Sequence, residues 1–258
     1  MIEEAILRDE IEGVRRSVEA GRRIDPQAGA TSIEVAGGLV AFTGVGSPFS
    51  QALGVGTRGP VRASDVAQIT EFYESRGATP MVFVATMAHP SLASELTAAG
   101  YAAGDREQTL VASDDLISNS RRNDRIGVAK DIAAWAKASA MGFLEREELE
   151  PGEDVIALTL ATAEGTIALE VREGEKIIAT GAMSVIGDNA ALFAGSTLTA
   201  FRRQGWHAAL IRDRVARARE AGARLVRATA GPGSISEQNF LRSGFVRLHT
   251  RVLWERRR

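Results

Sequence analysis

The apolar positions of this chain alternate between two periods. At the start, Ile2, Ile6, Ile11, Val14 and Val18 recur among charged residues at helical spacing, which predicts an amphipathic helix over residues 2–20 with Gly21 as its stop. Residues 32–36 and 39–43 read as short strands joined at Gly37-Gly38, a pair suited to a hairpin turn. A helix follows over 64–75, with Ser64 and Asp65 placed to cap it and Val66, Ile69, Phe72 and Tyr73 on one side. Residues 81–86 make a strand, and 91–99 a helix ending in Gly100-Tyr101.

In the second half a short strand is expected over 125–128. The helix after it carries Ile132, Trp135, Ala136, Ser139 and Phe143 on one stripe; Trp135 and Phe143 are candidates for lining a pocket, and a core stripe is the plainer account. The acidic stretch 145–153 faces solvent. Strands 166–171 and 176–186 pair around Glu173-Gly174, and Gly187-Asp188-Asn189 turns into an apolar run over 190–199. Almost at once, at Gly205, a helix begins that reaches Ala221, with Ala208, Ile211, Val215 and Ala218 as its buried stripe. Arg212, Arg214, Arg217 and Arg219 are expected on a solvated face with Asp213 and Glu220 as partners. A strand over 224–230 and a short helix from Ser234 complete the pattern, with Ser234 and Glu237 forming an S-x-x-E capping box before Gly244-Phe245.

The order helix, strand, helix, Gly-aromatic therefore occurs twice. MVFVAT (81–86) aligns with RLVRAT (224–229), and the Thr-to-Gly spacing is 14 positions in the first copy and 15 in the second. Such a repeat predicts a tandem duplication, with domains over 1–113 and 125–258 joined by the polar linker 114–124.

The chemistry concentrates where the run over 190–199 meets the helix at Gly205. The first turn of a helix offers backbone N–H groups with no intrahelical partner, and the helix dipole adds partial positive charge, so such an end is a cup for anions. Gly205 has no Cβ to keep a ligand from the backbone, and Arg202 and Arg203 add two cations beside it. A phosphate or pyrophosphate is the natural occupant. The glycine-rich stretch 44–59 of the first half does not repeat this cup: no Arg stands at the matching spacing, and Pro60 removes a donor just before the helix.

Residues 202–207, RRQGWH, fit R-x-x-G-x-G/A at Arg202 and Gly205, with His207 where Gly or Ala is usual. With the helix, strand, Asn239-bearing helix and Gly244-Phe245 that follow, this resembles the cofactor-binding half of the GNAT superfamily of acetyl-CoA-dependent N-acetyltransferases, over roughly residues 125–255. The resemblance implies two tandem α/β (α+β) units, each a mixed, mainly antiparallel sheet flanked by helices, the first degenerate. It also implies acetyl-CoA as acyl donor, with backbone N–H groups of Gln204, Gly205, Trp206, His207 and Ala208 on the pyrophosphate. By the same resemblance, the strand near Thr197 and Thr199 splays from its neighbour to pair with the pantetheine, and Asn239 and Phe240 lie against the cofactor. Gly195 is placed to mark a bulge in that strand. The His207 side chain is expected to point to solvent.

Composition narrows the reaction. The chain has 258 residues, a formal net charge of -2 and no cysteine. A Cys-linked acyl-enzyme and Cys metal sites are thereby excluded, leaving direct transfer to an amine as the simpler expectation. No metal, nucleic acid or membrane partner is expected; the partners are acetyl-CoA and an amine acceptor, with a homodimer also open. A charged N-terminal stretch without a long apolar run suggests a cytoplasmic protein. The position where the family often has a proton-donating Tyr holds Phe240, and the only base candidates on neighbouring strands are Glu170 and His249. Two readings therefore stand: an N-acetyltransferase acting on a small-molecule or protein amine, or a CoA-binding or structural protein without activity.

Overall fold

The computed structural model describes residues 2–256. These divide into two compact units: unit 1 holds the described residues up to Gln108 together with those from His249 on, and unit 2 spans Thr109–Leu248.

In unit 1, α1 (Ile2–Ile24) precedes the hairpin of β1 (Thr31–Val35) and β2 (Gly38–Phe42). β3 (Ala52–Leu53), α2 (Ala63–Glu74), β4 (Met81–Val84), α3 (Ser91–Ala98) and β5 (Tyr101–Ala112) follow. The C-terminal strand β11 (Phe245–Arg256) pairs antiparallel with β4, giving the strand order β1-β2-β3-β4-β11-β5. Strand β2 is buried on both faces: Val40 and Phe42 pack with Val66, Ile69 and Tyr73 of α2, while Leu39 and Ala41 pack with Val14 and Val18 of α1. Burying such a side chain stabilises by roughly 1.5–3 kcal/mol, so the alternation along five residues holds a helix on each side of the sheet.

Unit 2 contains α4 (Asp114–Asn119), β6 (Ile126–Val128), α5 (Ile132–Leu144), α6 (Val155–Thr162), β7 (Thr166–Glu173), β8 (Lys176–Ile186), β9 (Asn189–Thr197), α7 (Trp206–Glu220), β10 (Leu225–Ala230) and α8 (Ile235–Arg242). Its strand order is β11-β5-β10-β9-β8-β7-β6, antiparallel from β9 through β6 and parallel between β9 and β10. On one face Ile211, Val215 and Ala218 of α7 pack with Phe240 of α8; on the other, Trp135 and Ala136 of α5 pack with Ala157 and Ala161 of α6.

Several expectations shift against this frame. Gly21 does not stop α1: the helix runs three residues further, and Gly21 is buried where a Cβ would stand 3.4 Å from that of Ala30. The hairpin turns at Ala36-Gly37, both with positive φ, rather than at Gly37-Gly38. Gly38 lies within β2, where a Cβ would come 2.4 Å from the Val55 nitrogen. The expected linker 114–124 opens as helix α4, because the Ser113 hydroxyl accepts from the Leu116 N–H and Leu116 is buried. The boundaries expected at 113 and 125 differ accordingly from the compact units, and the last strand from His249 on counts with unit 1. The stripe on α5 holds at Trp135, Ala136 and Ser139, but Phe143 is 80% exposed.

Candidate functional site

The candidate site is the crossing from β9 into α7. Strand β9 ends at Thr197, and a single 3₁₀ turn over Thr199–Phe201 leads to Gly205, the N-cap of α7. Thr199 is thus in the turn and not in the strand expected to carry it; Thr197 closes the strand. Gly205 adopts φ 84°, a left-handed conformation that costs most residues energy and glycine little. The first turn of α7 holds no acidic residue and no side-chain cap. The N–H groups of Trp206, His207 and Ala208 have no acceptor among the described residues, and the first helical bond is from Ala209 N–H to the Gly205 carbonyl, 3.0 Å. This is an exposed, uncapped helix terminus of a 15-residue helix.

The two arginines before it differ. Arg202 is tied down, donating to the carbonyls of Gly142 (2.9 Å) and Thr197 (3.2 Å) and to the Glu145 carboxylate (2.7 Å), which fixes the end of α5 to the end of β9. Arg203 is exposed and has no hydrogen-bond or ion-pair partner among the described residues, so it offers an unpaired cation beside Gly205. Gln204 accepts from the Trp206 indole N–H (3.3 Å), and the Arg125 guanidinium lies 4.5 Å from the Trp206 ring.

Upstream of the cup, β9 carries one extra residue. Thr180 pairs with Ser196 and Ala182 with Phe193, so β9 takes three steps where β8 takes two; Ala194 has φ 49° at this bulge, beside Gly195. The bulge coincides with a parting of strands. β9 and β10 are in register only from Asn189↔Leu225 to Leu192↔Ala228, and beyond Leu192 no β10 partner is recorded.

Arg214 explains how the bulge is held. It was expected on the solvated face of α7, but it is 1% exposed, and its Nη1 donates to the carbonyls of Ala182 (3.1 Å) and Phe193 (2.9 Å) on either side of the irregularity. Its Nε donates to the Leu210 carbonyl, 3.0 Å. Gly181 and Gly195 make room: a Cβ on either would come within 3.1–3.4 Å of the guanidinium. Burial lowers its pKa to about 10, with Asp213 opposing the shift, so it stays charged at neutral pH. Arg217 is also buried, against Asp213 and the Ile126 carbonyl, for the same reason: α7 is covered on more sides than its apolar stripe suggests. A signal for Arg214 existed. It lies three residues after Ile211 and four before Ala218, on the buried stripe itself.

The other expected site residues are placed as follows. The His207 side chain points inward rather than to solvent, meeting the Phe240 ring edge-on with centroids 6.1 Å apart; its Nδ1 is buried without a partner. Burial, with the Arg214 charge, lowers its pKa to about 4. Phe240 is buried and also packs on Phe245, 4.9 Å. Asn239 is half-buried on α8 and accepts from Arg242, 2.8 Å. Ser234 caps α8 by accepting from Glu237 N–H, while Glu237 accepts from Gly233 N–H in place of the expected return bond to Ser234.

The two base candidates belong to different units. Glu170, on β7 across from Thr180 of β8, is buried with one oxygen on Arg172 (2.6 Å) and the other without a partner. His249 counts with unit 1, where it lines a cavity with Glu10 and Arg251.

Neither a family model nor a curated protein matches this sequence. Solved structures do. A GCN5-related N-acetyltransferase from Kribbella flavida is similar over 92% of this chain and 95% of its own, with TM-score 0.63 at 17% identity. A GNAT-family acetyltransferase structure from Novosphingobium aromaticivorans covers 94% of this chain and 97% of its own, with TM-score 0.57 at 13% identity. A tandem GNAT protein from the clavulanic acid biosynthesis pathway covers 86% and 79%, with TM-score 0.56 at 14% identity. The fold is that of the GNAT acetyltransferases, in tandem.

Proposed function

We propose that this protein is an acetyl-CoA-dependent N-acetyltransferase that uses the crossing from β9 to α7 in unit 2 and transfers the acetyl group directly to an amine. The observation that carries the reading is the N-terminus of α7: a left-handed Gly205, three N–H groups with no acceptor, no acid in the turn, and the exposed Arg203 beside it. A pyrophosphate fits that chemistry. The strand leading to it parts from β10 after Leu192, leaving backbone groups on one edge of β9 free for the amides of a pantetheine arm.

Acetyl-CoA supplies an activated acyl group as a thioester. The protein's part would be to hold it and to bring a neutral amine to the face of its carbonyl carbon, where formation of the C–N bond is followed by cleavage of the C–S bond and the proton lost by the amine nitrogen passes to water. Backbone N–H groups at the bulge near Gly195, where Arg214 holds the Phe193 carbonyl, would be the preorganised donors for the carbonyl oxygen. No side chain at the cup is an evident general base, and Phe240 cannot protonate the departing thiolate. A thiol is acidic enough, with a reference pKa of roughly 8.5, for water to serve in its place.

Calorimetry with acetyl-CoA tests the binding half of this reading. One site per chain is expected; no binding, or two equivalent sites, counts against it. Mass spectrometry of an amine panel incubated with acetyl-CoA and enzyme tests the chemical half. The second reading, a CoA-binding protein without activity, is favoured by Phe240 alone, and it predicts calorimetric binding with no acetylated product.

A further inference from the structure

His207 stands just inside the N-terminus of α7, where a small residue fits the sequence pattern, and its ring turns away from water. It meets Phe240 of α8 edge-on, and its Nε2 lies 3.3 Å from where a Cβ on Gly195 of β9 would be. Helix α8 packs on β10, and β9 parts from β10 after Leu192. The imidazole therefore spans the mouth of the gap between the two strands, from the bulge on one side to the helix carried on the other.

Among the described residues no hydrogen bond holds the ring there. Its Nδ1 is buried and unpartnered, so the inward position forfeits a hydrogen bond that water would supply. Arg214, the charged group acting on it, also leaves its Nη2 unpartnered and repels any proton on the ring. Packing on Phe240 alone favours this rotamer. Gly205 and Arg203 at the rim of the cup are open to solvent, and an imidazole that left the slot for that rim would regain the hydrogen bond that water supplies.

Resting on the reading of the cup as a coenzyme A site, we propose that His207 is a gate on that site: its imidazole fills the cleft between β9 and β10 in the free protein, and the pantetheine arm enters only when the ring swings out. The cup itself stays open throughout. A ligand with the same phosphates and no arm therefore binds without moving the gate, so that admission of the arm, rather than recognition of phosphate, selects the ligand.

The test is to titrate wild type, His207→Ala and His207→Phe with coenzyme A and with ADP, which carries the pyrophosphate without the arm, after melts confirm that all three are folded. His207→Ala should bind coenzyme A about 5- to 50-fold tighter, as an open state populated at about 2–20% implies, and ADP within about twofold of wild type. His207→Phe keeps the plug and removes the unpaired nitrogen, so coenzyme A should bind more weakly than to wild type. Coenzyme A binding to His207→Ala but not to wild type supports the gate in its strongest form. Unchanged or weaker coenzyme A binding in His207→Ala, or equal tightening for both ligands, overturns the gate and leaves the proposed function standing. If ADP binds but no variant takes coenzyme A, or if neither ligand binds any of the three proteins, the coenzyme A reading fails and the gate with it.

Discussion

Each unit crosses from a strand into a helix beside a parallel neighbour, β3 into α2 in unit 1 and β9 into α7 in unit 2, and only the first carries an acid, Asp65, in the first turn of its helix. In unit 1 the start of α2 already has an anion of its own: the Asp65 carboxylate accepts from the Arg62 N–H at 2.8 Å. Val61 N–H is spent on the Ser91 hydroxyl (2.8 Å), the Gly56 carbonyl accepts from His89 N–H (2.8 Å), and the Val61 side chain fills the space above Gly56. In unit 2 no acid occupies the first turn and Gly205 leaves the approach open. Every helix has a positive end. Whether it is a site depends on whether the protein's own groups have already used it.

The largest expected effect comes from giving unit 2 the anion that unit 1 has. Gly205→Asp sets a carboxylate at the cup and forces a left-handed conformation on a residue with a Cβ, so affinity for coenzyme A should fall at least about 100-fold in calorimetry. Undiminished affinity would mean that the cup is not where the phosphates go.

Next comes the bulge in β9. Arg214→Met removes the donor to the carbonyls of Ala182, Phe193 and Leu210 and leaves them buried, which should cost about 2–3 kcal/mol in urea unfolding. Arg214→Lys, keeping the charge but not the fork, should recover part of that loss. If the methionine variant is as stable as wild type, the guanidinium does not hold the bulge.

A smaller effect is set by pH. The ordinary pKa of His207 is 6.5 and in the fold it drops to about 4, so between those values the unfolded chain binds the proton more readily. Its contribution to stability is present above pH 6.5 and is lost as the pH falls toward 4. Because protonation is relieved once the ring swings out, the loss is limited to about 1–2 kcal/mol, the free energy that a gate open about 2–20% of the time represents. Denaturation curves of His207→Ala should lack this acid limb; an identical limb in the variant assigns it to other groups.

The smallest effect tests the closed terminus. Asp65→Ala should lower stability by about 1 kcal/mol, the usual cost of a lost cap, while creating no coenzyme A site, since Val61 and Ser91 still occupy the crossing. A second binding site per chain in that variant would show that the carboxylate alone separates the two units.

Much of this molecule was legible from its residues. The period of Ile211, Val215 and Ala218, the strand pair around Gly174, and the start of a helix at Gly205 are local matters, fixed by residue spacing and turn chemistry, and they stand in the structure. The repeated order from helix to Gly-aromatic also carries through, with Gly100 and Gly244 both at positive φ.

What tertiary structure decided lies where distant segments meet. Arg202 and Arg203 are neighbours of one type, yet only the folded chain brings Gly142 and Glu145 to Arg202 and leaves Arg203 free. Arg214 reads as a surface cation because arginine usually is one; a buried guanidinium is tolerable only where several carbonyls converge, and those of Ala182 and Phe193 come from strands 21–32 positions away in sequence. His207 points inward because Gly195 and Phe240 leave a slot for it, which no spacing along one helix reveals. Periodicity determines which face of an element is buried; what waits on that face, and so which polar groups are used and which stay free for a ligand, is set by packing between elements.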